Sequence, residues 1–102
     1  MRRPIVIRGK LSMCVDKKIK ERINEITVLF LANKKGVEAT GKIKILFGIK
    51  DKRKRDLDNM VSTILDCLVD SKILIDDSIS FIEKITAEVA RSDNWFVEVG
   101  FE

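Results

Sequence analysis

The sequence predicts an α+β fold: a small two-layer domain of order β-α-β-α-β-β, with a mixed sheet that carries both helices on one face. Three observations predict it. Apolar residues alternate with polar ones over 42–49 and 95–102, the period of a half-buried strand. They recur at steps of three and four over 19–30 and 57–69, the period of a helix face. The chain also shows no internal repeat, low-complexity run or linker, so residues 1–102 read as one domain.

Each element has its own signal. Pro4 to Gly9 is a short apolar run that reads as the first strand. Ser12 is placed to cap the helix that follows, and over Val15 to Ala32 the residues Ile19, Ile23, Ile26 and Phe30 form one helical face. Asn33-Lys34-Lys35-Gly36 ends it. Ile43, Ile45, Phe47 and Ile49 then alternate with Lys42, Lys44 and Gly48, and Leu46 is the exception in an otherwise clean strand. Leu57, Met60, Val61, Ile64, Leu65, Leu68 and Val69 give a second helix running to about Ser71. Ser78 to Ala90 fits two periods. Ile79, Phe81, Ile85, Ala87 and Val89 suit a strand, whereas Ile79, Ile82, Ile85 and Val89 suit a helix. Trp95, Val97, Val99 and Phe101 make a last strand.

Composition narrows the chemistry. Hydrophobic residues are 45% and charged residues 35%, a soluble globular balance rather than a disordered one. Lys and Arg number 20 against 16 Asp and Glu, a net charge of +4, which permits a polyanionic partner without demanding one. There is no His, which excludes a Ser-His-Asp triad, a Cys-His pair and His-ligated zinc. Cys14 and Cys67 are too few for a disulfide scaffold and fit a reducing cytoplasm, the expected location. The longest apolar run, Val28 to Ala32, falls far short of the ~20 residues of a membrane span, so no membrane partner is expected. Met1-Arg2-Arg3 is followed by further charges within a few residues, so no secretory leader is expected. Carboxylates, Lys, Arg and hydroxyls remain, and carboxylates suit hard metals.

The most unusual stretch is Lys50-Asp51-Lys52-Arg53-Lys54-Arg55-Asp56-Leu57-Asp58-Asn59. Its cations Lys50, Lys52, Arg53, Lys54 and Arg55 make a positive field whose commonest partner is a phosphodiester backbone, although a charge run is also the ordinary face of a solvated loop. Asp56 and Asp58 open the second helix. Residues two apart share a face only in extended chain, so a cooperating pair would sit in the turn before the helix with Leu57 dropping into the core. Two adjacent hard oxygen ligands of that kind suit Mg²⁺ or Mn²⁺. The same residues also serve as helix starters, capping free backbone amides. Asp76-Asp77 follows the helix, and at most one of the two can join the first pair on an extended chain. Cys14 and Cys67 read as small buried hydrophobes, and Ser62 and Thr63 lack a nearby general base.

Together, Arg55-Asp56-Leu57-Asp58-Asn59-Met60, Ile64-Leu65-Asp66-Cys67-Leu68 and Ile75-Asp76-Asp77-Ser78 resemble the RusA family of Holliday-junction resolvases, small and mostly phage-derived endonucleases. The close match covers Asp51 to Ser78. The resemblance implies that Asp56, Asp58 and Asp77 are the catalytic, metal-binding carboxylates, with Mg²⁺ as cofactor and Mn²⁺ as a substitute. It implies a homodimer that nicks two strands of four-way junction DNA symmetrically, in DNA recombination and repair. It also argues for the strand reading of Ser78 to Ala90. Two departures stand out. The family often has a lysine where this chain has Ser62, and a longer loop where Gly9-Lys10-Leu11 leads almost directly into the first helix.

Overall fold

A computed structural model describes residues 4–9, 19–50, 56–76 and 78–102, with side chains from residue 25 onward in the first helix. Ser12, Cys14, the start of the first helix, residues 51–55 and Asp77 lie outside the described residues. The element order is β1 (Ile5–Arg8), α1 (Ile19–Asn33), β2 (Lys42–Ile49), α2 (Leu57–Asp70), β3 (Lys84–Arg91) and β4 (Phe96–Phe101). This is the α+β arrangement expected from the periodicities.

The four strands lie in the order β1-β4-β2-β3. β4 runs antiparallel to both β1 and β2, while β2 and β3 are parallel neighbours joined through α2. Such a crossover needs a helix-length connection, which 50–83 supplies. The inward set of β2, Ile43, Ile45, Phe47 and Ile49, is buried with Ile5 and Ile7 of β1 and Val97, Val99 and Phe101 of β4. Ile26 and Phe30 of α1 and Met60, Ile64, Cys67 and Leu68 of α2 close this core from one side. The helices therefore cover one sheet face only. Leu46, the exception in the alternation of β2, lies on the other face, where it lines a shallow depression with Pro4, Lys44, Glu88, Glu98 and Gly100.

The segment with two periods resolves in favour of a strand, but one that starts late. Phe81 and Ile82 both donate backbone N–H groups to Ser78 O, so 78–82 is a turn, and Ile79 within it is 96% exposed. Glu83 N and Lys84 N then donate to Gly41 O, which fixes the start of β3 beside β2. β3 is an edge strand with Ile85 and Val89 exposed, so its apolar residues mark no clean buried side.

α2 ends in a reversal. Lys72 N donates to Val69 O and Ile73 N to Leu68 O, the Schellman pair, with Lys72 at φ 62. Among the described residues no helix is long and apolar enough to cross a membrane.

Candidate functional site

Four strand ends lie at one end of the sheet. β1 finishes at Arg8, β2 at Ile49 and β3 at Arg91, and β4 begins at Phe96. Register places Arg8 and Gly48 opposite Phe96, and Ile49 opposite Arg91. Lys50 follows directly. Arg8, Lys50 and Arg91 are all exposed, so three cations gather where the chain leaves the sheet for α2. Sequence reasoning found Lys50 and missed Arg8 and Arg91. Each of those is a single charge at the end of its own strand, and only strand pairing brings them together. Lys52, Arg53, Lys54 and Arg55 continue the run in sequence but lie outside the described residues.

The carboxylates stand at the start of α2. Asp56 is the N-cap, with extended backbone at φ −85 and ψ 110. Its Oδ1 accepts the backbone N–H of Asp58 at 3.0 Å and that of Asn59 at 3.4 Å. Its carbonyl accepts Met60 N at 3.2 Å, the first helical hydrogen bond. The capping role is therefore present, and it uses Oδ1 alone of the two carboxylate oxygens. Asp58 is exposed in the first turn, where the helix dipole favours negative charge.

This corrects one expectation. Only Asp56 is extended; Leu57 and Asp58 are already helical, because the cap draws the N–H groups of residues 58 and 59 onto Asp56. Leu57 accordingly does not enter the core and is 39% exposed, and the buried face of α2 begins a turn later at Met60. Of the second acidic pair, Asp76 is exposed and Asp77 lies outside the described residues. Among the described residues no three His, Cys, Asp or Glu side chains form a group able to hold a metal ion.

The other candidate nucleophiles behave as expected. Thr63 is buried and its hydroxyl donates to Asn59 O at 2.8 Å. Cys67 is fully buried, and burial pushes its thiol up to about 11; Asp70 and Asp66 push the same way, and a hydrogen bond with Thr27 opposes them. A thiol held neutral inside the core is no nucleophile. Ser62 is exposed one helical turn beyond Asp58, on the same side of α2.

The donor chemistry fits a hard divalent ion. Asp56 and Asp58 offer carboxylate oxygens at an exposed helix start, the hard donors such an ion takes.

No curated protein matches the chain closely enough to count as a relative. The sequence model described as endodeoxyribonuclease RusA matches residues 7–101, nearly its whole length. The chain therefore belongs to the RusA endodeoxyribonuclease family, nucleases that act on junction DNA, resolve Holliday junctions and depend in general on divalent metal.

Proposed function

We propose that this protein is a Mg²⁺-dependent, structure-selective endonuclease that resolves four-way junction DNA by paired symmetric nicks, as a homodimer, in DNA recombination and repair. Mn²⁺ substitutes for Mg²⁺. The observation that carries the reading is the exposure of Asp56 and Asp58 together at the start of α2, in a chain whose match to the nuclease family spans residues 7–101.

Asp56, Asp58 and Asp77 form the metal-binding set in this reading. Asp77 enters the set on the family resemblance of Ile75-Asp76-Asp77-Ser78. A bound divalent ion would lower the pKa of a water and neutralise charge on the scissile phosphate. The protein's own work is to hold the ligands and the substrate. The helix cap fixes Asp56 through two hydrogen bonds, so its second oxygen is oriented before a ligand arrives. Lys50, Lys52, Arg53, Lys54 and Arg55 grip the DNA backbone, reading shape rather than sequence.

The test is cleavage of a labelled four-way junction and a matched linear duplex with Mg²⁺, Mn²⁺ or EDTA. Paired nicks on the junction alone, abolished by EDTA and by Asp56→Asn, are expected. The same nicking by wild type and Asp56→Asn would remove Asp56 from the mechanism.

Ser62 supports a second reading, a junction-binding protein that cleaves slowly or not at all. It leaves an uncharged side chain one turn from Asp58, where many relatives carry a lysine to meet transition-state charge. Ser62→Lys is expected to raise the cleavage rate about tenfold or more, below the ~100-fold associated with one preorganised donor. Tight junction binding with no nicking under any divalent ion, in wild type and Ser62→Lys alike, would favour this second reading.

A further inference from the structure

On the face of the sheet away from the helices, the strand ends make an arrangement that no single segment contains. Directly opposed residues in antiparallel strands share a face, about 5 Å apart. Arg8 and Phe96 are so opposed, and so are Phe96 and Gly48. Gly48 is what lets the aromatic ring settle there: a Cβ at that position would land on the ring atoms of Phe96. The Phe96 ring thus leans across β2 while remaining partly exposed. Arg8, Lys50, Ser92, Asp93, Trp95 and Phe96 line one open cleft around it.

The charge pattern limits what this cleft accepts. Arg8 and Lys50 bring two positive charges against the single carboxylate of Asp93. Further along the same face, Lys44 stands beside Glu88 at 3.9 Å, and Glu88 and Glu98 share its depression, so that region offers no net attraction for phosphate. At the Arg8–Lys50 end of this face, positive charge and an aromatic ring coincide, at Arg8, Phe96 and Lys50.

We infer that this cleft is a nucleotide subsite: Phe96 is a platform for one unstacked base, and Arg8 and Lys50 hold the phosphates on either side of it. An aromatic face stacks on any base without reading sequence, and cations beside it follow the backbone. A base pair within a linear duplex is stacked on both sides, whereas the open form of a four-way junction leaves the pairs at its crossing point stacked on one side only, and a single strand leaves its bases free to stack elsewhere. The subsite therefore adds selectivity for junction or single-stranded DNA over duplex. It rests on the DNA-cleaving function proposed above and assigns these three residues to substrate binding, apart from the carboxylates.

The chain carries its own probe, because Trp95 is the only tryptophan and lines the same cleft. The experiment titrates wild type, Phe96→Leu and Arg8→Gln with a four-way junction, a single-stranded oligonucleotide and a linear duplex. EDTA is present to prevent cleavage, and both Trp95 fluorescence and gel retardation are followed. Circular dichroism of the variants checks the fold, and Arg8→Gln is an exposed substitution that spares the core. Junction and single-strand binding are expected to change Trp95 emission. Phe96→Leu should weaken both by about 5- to 100-fold and leave duplex affinity within about twofold. Arg8→Gln should weaken all three and lower the slope of log affinity against log salt by about one. Junction binding by wild type with unaltered emission, and with the affinities of both variants unchanged, would overturn the subsite and leave the nuclease reading intact. A wild-type protein that binds no DNA would overturn both.

Discussion

Asp56 has two separable roles. As N-cap it accepts two backbone N–H groups, and in the proposed function it contributes charge to a metal site. Asn caps a helix about as well as Asp, whereas Ala costs about 1 kcal/mol. Asp56→Asn should therefore hold urea stability within about 0.5 kcal/mol of wild type. Its cleavage should fall at least 100-fold, the upper range for disturbing even the outer shell of a metal site. Asp56→Ala should lose both. If Asp56→Asn unfolds as early as Asp56→Ala, the cap hydrogen bonds are not what the carboxylate supplies. Cys67 makes a different residue-scale prediction. Burial raises its thiol from 9.0 to about 11, so the unfolded chain releases the proton first as pH rises. The neutral thiol's contribution is intact below pH 9 and is lost as pH climbs through 11. The stability advantage of wild type over Cys67→Ala, read from urea midpoints, should narrow across that interval. A difference that stays constant between pH 8.5 and 11 would place the thiol in contact with water.

At the scale of elements, α2 carries strain at its far end. Lys72 has φ 62 and yet occupies the position in the helix-ending motif that glycine fills most easily. A left-handed non-glycine residue costs about 1–2 kcal/mol, and the Lys72 side chain is exposed, so it has little packing to lose. Lys72→Gly should raise urea stability by about 1 kcal/mol with the helix length unchanged. A loss instead would mean that the lysine side chain holds the reversal. The elements that the sequence makes legible are those with one wet side and one dry side. β2 was readable residue by residue, since Ile43, Ile45, Phe47 and Ile49 are all nearly inaccessible. β3 was not, because at the sheet edge neither Ile85 nor Val89 is enclosed, and the turn at 78–82 put Ile79 and Ile82 in step with a helix. Leu57 misled for a related reason. Its spacing from Met60 fits the buried face, but the cap starts the helix a turn before the core does. The site divides in the same way. Asp56, Asp58 and Lys50 were legible because they are neighbours in sequence, whereas Arg8, Arg91 and Phe96 converge only through strand register, which local pattern does not encode.

For the whole molecule, a chain of about this length buries roughly two thirds of its unfolded surface at best, so association would add stability. β3 is the edge through which the proposed homodimer would form. It ends the sheet, and on the face the helices cover elsewhere it leaves Ile85 39% and Val89 46% exposed, while the turn before it leaves Phe81 43% exposed. An open edge strand is a template for another strand. Two copies paired antiparallel about Ala87 would set Ile85 against Val89 of the second copy and Glu83 against its Arg91, matching apolar with apolar and acid with base. A register centred on Glu88 would oppose two like charges and is disfavoured. This pairing continues the sheet across the two-fold axis and carries two equivalent sites, as paired nicks require. Light scattering of wild type at micromolar concentration should give twice 11.7 kDa. Val89→Glu buries a carboxylate in that apolar strip, at a cost of several kcal/mol, and should weaken the dimer by about 100-fold or more. Its nicks on a four-way junction should then appear one strand at a time rather than in pairs. A wild-type monomer making paired nicks, or a Val89→Glu dimer as tight as wild type, would move the two-fold contact away from β3.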